Sequence, residues 1–274
     1  MRLQTIYTLI LFTTFSASLS FAGTNLVFYG QAEHKELDSQ KPLRVLSWNI
    51  HKLEDINTYQ DVFKLSKNSD IMVLQESMMN NVTRDFFGEI TIGLETLGAI
   101  SFNTNSDGGT GVATSSRIQN ISATPIRSRE TEPILNTPKM ILITEYKIKD
   151  AKQTLMVANI HGLNFVPNWK FGVQLSQLEV ELSKHPGPIL LAGDFNTHNP
   201  PKTRLLAEMV KRLKLKHIEM PNKKFFRLDL DHIFARGFNV RHASLLHEFT
   251  SSDHTPLWAE LEFKHTLSLP AAYQ

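Results

Sequence analysis

"ILLAGDFNTHN" (residues 189–199) is the stretch on which the reading of this chain turns. Ile189, Leu190 and Leu191 are apolar and suited to a strand. They stop abruptly at Gly193, Asp194, Phe195 and Asn196. One reading is a turn, because glycine tolerates positive φ and short polar side chains bond their own backbone. The other is an active site. Side chains two apart on an extended segment point the same way, so Asp194 and Asn196 would project together from the end of a sheet, where α/β proteins place ligands. These residues alone leave both readings open.

Other apolar stretches end alike. "LSWN" ends at Asn49, "VLQE" at Glu76, "ANIH" at His161 and "LDLD" at Asp231. The loop before the last apolar stretch, "SSDHTP", brings Asp253 and His254. Each is explicable alone: His161 as a satisfied core histidine, Asp253 and His254 as a turn. Together they imply convergence on one site. Glu76, Asn49 and Asp253 offer oxygen ligands suited to a hard cation, Mg²⁺, Mn²⁺ or Ca²⁺. The chain has no cysteine, which excludes thiolate zinc, disulfides and thiol catalysis. Asp194 could activate a water, Asn196 could donate to a developing oxyanion, and an Asp–His pair would hold an imidazole in one tautomer.

The 274 residues begin with one basic residue, Arg2, an apolar run from Ile6 to Phe15, and small residues at Ser20 and Ala22. This is the pattern of a secretory signal over 1–22, too short for a comfortable membrane span. An exported, periplasmic or secreted protein is expected, with about 250 residues in one domain. Nine Lys/Arg against Glu208 and Glu219 make 202–227 a +7 window in a chain of net charge +2. Such a block hints at a polyanionic partner; the alternative is a solvated helix face. Because it lies between Asp194 and Asp231, part of it is expected to flank the cleft.

Residues 23–41 read as a polar leader and 42–264 as the domain, with a loose tail over 265–274. Within the domain, apolar runs at 43–50, 70–76, 98–148, 154–162, 189–194, 227–235, 240–249 and 255–263 predict strands, with helices over 57–67, 81–87, 169–184 and 201–213. There is no internal repeat. Hairpin-like neighbours mixed with strand–helix–strand units suggest two mixed sheets with helices outside. After His161, "NFVPNWKF" (164–171) carries Phe165, Trp169 and Phe171, which could stack on bases, enter a membrane interface, or simply pack a helix start.

The ordered set "SWNI", "VLQE", "NIHG", "AGDFN", "LDHIF", "SSDHTP" resembles the endonuclease/exonuclease/phosphatase superfamily over about residues 43–263, closest to its bacterial YafD-like branch. The resemblance implies a DNase I-like four-layer α/β sandwich, two mixed β-sheets packed face to face with helices outside. It also implies roles by position: metal-site residues Asn49, Glu76 and Asp253, a water-activating Asp194 with Asn196, a dyad of Asp231 with His254, and a second histidine at His161. A metal-dependent phosphodiester hydrolase follows, with nucleic acid as first substrate, a phospholipid head group or small phosphate ester as alternative, and a non-catalytic scaffold as a third reading. No stable protein partner is evident, and a monomer is expected. Two departures stand out. The family's carboxylate supporting the second histidine is missing from "GGTGVA", and Thr131 stands where an Arg-Glu-Pro arginine would, with Arg129 two earlier.

Overall fold

The computed structural model describes residues 26–104, 108–222 and 230–264. In chain order the strands are β1 (Leu26–Gly30), β2 (Leu43–Asn49), β3 (Ile71–Met79), β4 (Glu95–Asn103), β5 (Gly109–Ser116), β6 (Asn120–Arg127), β7 (Met140–Lys147), β8 (Thr154–His161), β9 (Ile189–Asp194), β10 (Lys216–His217), β11 (Asp231–Arg236), β12 (Phe238–Leu245) and β13 (Leu257–Phe263). The α-helices are α1 (Ile56–Ser66), α2 (Asn81–Asp85), α3 (Asn168–Ser183) and α4 (Pro200–Arg212). One sheet has the order β1-β4-β5-β3-β2-β13-β12, the other β10-β11-β9-β8-β7-β6. Both are mixed: β2 pairs in parallel with β3, and β8 with β9, while the remaining pairings are antiparallel.

Period-two alternation builds the layers. Leu43 and Val45 of β2, Ile71 and Val73 of β3, Leu155 and Val157 of β8, Leu190 and Ala192 of β9, and Ile233 and Ala235 of β11 share one core between the sheets. The intervening residues face outward. Leu46, Trp48, Met72 and Leu74 pack with Val62 and Leu65 of α1. Ile160, Ile189 and Leu191 pack with Phe171, Leu175 and Leu178 of α3 and with Leu206 and Met209 of α4. Side-chain caps start α1 and α4: Asp55 accepts from Asn57 N–H, and Asn199 from Lys202 N–H.

The same parity places the site. Continuing each inward row by twos reaches Asn49 on β2, His161 on β8 and Asp194 on β9, while the row on β11 begins at Asp231. Beneath them a polar clasp joins the sheets: Gln75 Nε2 donates to Asn159 Oδ1 (2.8 Å), and Asn159 Nδ2 donates to Ala113 O (2.9 Å). Both side chains are fully buried, so slipping one sheet against the other would strand these polar groups away from water. Gly193 lets β9 approach β8. Its φ is +147°, and a Cβ there would lie 2.0 Å from Ile160 O.

Three expectations are corrected. Residues 26–41 are part of the domain rather than a leader. β1 pairs with β4, and bridges join His34 to Ile118 and Leu37 to Ile148. The strand through "VLQE" does not end at Glu76; it bulges there, Glu76 taking φ +51°, and runs on to Met79. Asp231 opens its strand rather than closing one. The expected signal segment 1–22 and tail 265–274 lie outside the described residues. No helix among the described residues is long and apolar enough to cross a membrane.

Candidate active site

Asp194, 2 % exposed, is the centre. Its Oδ1 accepts from Asn196 N–H (2.9 Å), and its Oδ2 from Asn49 Nδ2 (3.2 Å) and Asn196 Nδ2 (3.3 Å). Two imidazoles face the same Oδ2: His161 Nε2 at 3.6 Å and His254 Nε2 at 3.9 Å. Those separations exceed a hydrogen bond and suit a bridging water. Glu76 Oε1 lies 3.9 Å from His161 Nε2. His254 Nδ1 donates to Asp231 (2.8 Å to Oδ2, 3.0 Å to Oδ1), forming the expected dyad.

The loop carrying His254 is stitched down by groups the sequence reading passed over. Trp48 Nε1 donates to His254 O (2.8 Å), Ser252 Oγ donates to Asn49 O (2.7 Å), and Thr58 Oγ1 donates to Ser251 O (2.8 Å). The paired serines of "SSDH" were the signal available.

Charge follows geometry. Burial, reinforced by the charge of Asp231, raises the Asp194 pKa against the opposing effects of His254, Asn196 and Asn49. Burial, then the charges of Lys139, His254 and Lys52, hold His161 well below the usual imidazole value. Burial also disfavours the charge on His254. The hydrogen bond and charge of Asp231, with smaller contributions from Asp194 and Asp253, outweigh it and raise the pKa from 6.5 to about 9. A neutral His161 and a charged His254 therefore flank one carboxyl group at neutral pH. A raised histidine pKa contributes stability that is fully present below the unfolded value of 6.5 and is lost as pH rises through about 9, up to about 3 kcal/mol. An NMR titration is expected to place His254 near 9, and Asp231→Asn to return it toward 6.5 and flatten that part of the stability profile. An unshifted His254 in the wild type would remove the dyad.

Of the eight residues singled out, seven are brought together: Asn49, Glu76, His161, Asp194, Asn196, Asp231 and His254. Asp253 is near enough for its charge to act on His254 but sits at the rim. It is exposed, and among the described residues its side chain meets Ser252 Oγ at 3.4 Å. Asn196 also differs from expectation. It takes φ +52° rather than an extended conformation, and its Nδ2 reaches Gly162 O (3.0 Å) as well as Asp194. It holds the ends of β8 and β9 together. Asp194, Asp231 and His254 each present a ligand atom within 4.8 Å of the others. With Glu76 and Asn49 adjacent, the donor set is rich in oxygen and fits a hard divalent cation.

Three lysines were not anticipated here. Lys202 is fully buried. Its Nζ donates to Leu163 O (2.7 Å) and Asn196 O (3.3 Å), behind the site. Burial lowers its pKa to about 8, against the raising effects of Glu132 and Asp194. Lys52 Nζ lies 3.9 Å from Glu76 Oε2, and Lys139 pairs with Glu132 at 3.4 Å. Lys211, Arg212, Lys214 and Lys216 of the basic block lie at or beyond the far end of α4, not at the end that carries Lys202. α4 starts at Pro200, next to Asn199, is roughly 20 Å long, and carries Lys211 and Arg212 in its last turn. Arg212 there pairs with Glu179, and Lys216 pairs with Ala235, four residues beyond Asp231. Lys223, Lys224 and Arg227 lie outside the described residues.

With this geometry in hand, the comparisons are decisive about ancestry. Residues 46–254 match the model of the Endonuclease/Exonuclease/phosphatase family. The chain belongs to that family. A relative, the UPF0294 protein of Klebsiella pneumoniae (strain 342), is 31% identical over 246 residues, covering 88% of this chain and 89% of its own. UPF0294 proteins are the YafD-like branch. Among solved structures, the human Nocturnin catalytic domain with bound sulfate anion superposes with TM-score 0.63 at 19% identity, over 87% of this chain and 97% of that one. The mannosyl-6-phosphatase of Bacteroides thetaiotaomicron VPI-5482 gives TM-score 0.61 at 17% identity, over 81% and 100%. The DNase I-like α/β sandwich is thus the fold of this chain.

Proposed function

We propose that this chain is an exported, divalent-cation-dependent hydrolase of phosphoesters. The observation that carries the reading is Asp194 Oδ2, contacted by Asn49 and Asn196 and faced by two imidazoles of opposite protonation preference. Asp194 orients the attacking water and accepts its proton, a role for which a raised pKa suits a carboxylate. Protonated His254, oriented by Asp231, neutralises charge on the phosphoryl oxygens and supplies a proton to the leaving alkoxide. Neutral His161 hydrogen-bonds the phosphoryl group. A cation held by Glu76 and Asn49, Mg²⁺ in the first instance, would polarise a phosphoryl oxygen.

Nucleic acid is the first substrate in this reading. Its support is the pair of exposed aromatics Phe165 and Trp169, on the segment that follows His161, because aromatic rings stack on bases. Among the described residues, Lys211 and Arg212 of the basic block add nothing to it, since they sit at the end of α4 opposite Lys202. A phospholipid head group is favoured instead by Ile134 and Leu135, aliphatic and exposed on the loop that carries Glu132. That loop is tied to the aromatic segment by Asn164 N–H donating to Glu132 Oε1 (2.7 Å). The test is release of product from plasmid, single-stranded DNA, RNA, sphingomyelin vesicles and a small phosphodiester in Mg²⁺. Hydrolysis of nucleic acid but not vesicles is expected. The reverse would promote the lipid reading, and hydrolysis of none would leave a binding scaffold.

A further inference from the structure

The lysines near Glu76 outline a small pocket that adjoins the reacting groups, with Glu76 and His161 in its wall. A cavity of about 30 Å³ is lined by Lys52, Glu76, Thr110, Lys139 and His161, among others. That volume accommodates one oxygen-sized group. Thr110 is 4 % exposed, and its hydroxyl has no hydrogen-bond partner among the described residues. A buried hydroxyl left unpaired is costly, which makes this wall of the cavity receptive to a polar atom.

The two cations are placed there by specific backbone and side-chain arrangements. His51, Lys52 and Leu53 have φ of +43°, +56° and +57°. Three consecutive left-handed residues, none of them glycine, are conformationally costly, and such outliers concentrate at functional sites. Leu53 is buried in this turn, and Lys52 Nζ lies 3.4 Å from Glu54 Oε1 and 3.9 Å from Glu76 Oε2, between the two carboxylates. The bulge at Glu76 turns that carboxylate toward the same cavity. Lys139 comes from the start of the segment leading into β7. Its side chain is 12% exposed, and it is braced by Glu132 at 3.4 Å. Glu132 is itself held, since its other oxygen accepts from Asn164 N–H. Lys139 stands close enough to His161 to lower its pKa.

We propose that Lys52, Lys139 and the Thr110 hydroxyl form an anion subsite for a phosphoryl oxygen, selecting a phosphate that bears two negative charges, a phosphomonoester or a terminal phosphate, over the single charge of an internal diester. The inference rests on the hydrolase reading for catalysis but not for binding, and within that reading it moves the preferred target from an internal diester to a terminal phosphate of a nucleic acid or a phosphomonoester. One oxygen enters the cavity beside Thr110, and the lysines neutralise the remaining charge. An internal diester has one ionisable oxygen fewer and a second ester group in its place, so it gains less from the second lysine.

Thermal unfolding in Mg²⁺ with rising inorganic phosphate tests binding without catalysis. The wild type is expected to be stabilised saturably. Lys52→Met and Lys139→Met should each raise the half-saturating phosphate concentration by about tenfold or more, and Thr110→Val by less. Lys139→Arg, which keeps the charge, should recover most of the affinity and controls for a variant that fails to fold. A second arm compares p-nitrophenyl phosphate with bis(p-nitrophenyl) phosphate. The preference of kcat/KM for the monoester should fall about tenfold in the methionine variants. A wild type indifferent to phosphate, or methionine variants with unchanged half-saturation and unchanged preference, would overturn the subsite. A wild type that binds phosphate through these lysines yet hydrolyses neither ester would instead overturn the hydrolase reading and leave the subsite standing.

Discussion

Asp194→Asn is expected to lower turnover by about 10²–10⁴, the range for loss of a positioned proton-transfer group. Asparagine keeps the shape of the side chain and one oxygen to accept from Asn196 N–H, so the fold should persist. It cannot accept the proton of an attacking water. Stability should not fall with activity. Burial and Asp231 penalise the ionised form of Asp194 in the folded protein, so above the unfolded carboxyl pKa that charge works against folding. Removing it is expected to leave the unfolding midpoint at neutral pH unchanged or raised. Loss of activity with a retained or higher midpoint is the signature of a group placed for chemistry rather than for stability. A folded variant turning over at the wild-type rate would remove Asp194 from the mechanism. His161→Ala is expected to do less, because His161 is held neutral and has no dyad of its own.

Chelation is the second large effect. EDTA is expected to abolish hydrolysis, and Mg²⁺ or Mn²⁺ to restore it. The donor atoms around the cleft are carboxylate and amide oxygens with imidazole nitrogens, and the chain contains no thiol, a set matched to hard cations. Glu76→Gln should raise the Mg²⁺ concentration needed for half-maximal rate, because it removes the charge that faces the cavity while keeping the residue's size. Chelation should also lower the unfolding midpoint, since a ligand that binds only the folded state stabilises it. Full activity in EDTA would sink the metal reading and shift the task of charge neutralisation to His254 and the lysines. Asp253 gives a further contrast. It is exposed, and its replacement by Asn is expected to change metal affinity far less than Glu76→Gln.

The sequence by itself determined most of the strands, the helices and which polar residues sit at strand ends, for a local reason. A strand's two faces alternate, so the row that buries Leu190 and Ala192 also carries Asp194, and the row that buries Leu155 and Val157 also carries His161. Runs of apolar residues broken by carboxylate, amide and imidazole are visible in one dimension. β1 was missed because an edge strand is only half buried: Val27 and Tyr29 pack on one side while Phe28 and Gly30 remain exposed. What only the tertiary structure decided depends on where distant segments meet. The pairing of His254 with Asp231 spans 23 residues, and the suture of the His254 loop to Trp48 spans 206. Lys202 reads as one more cation in a basic block, yet the first turn of α4 buries it against two backbone carbonyls. Lys211 and Arg212 of that block ride on the same helix to its other end. Lys52 and Lys139 carry no motif. One reaches the site through a left-handed turn and the other through an ion pair to a neighbouring loop. Charge and exposure are properties of the space around a side chain, and that space is filled by residues far away in the chain.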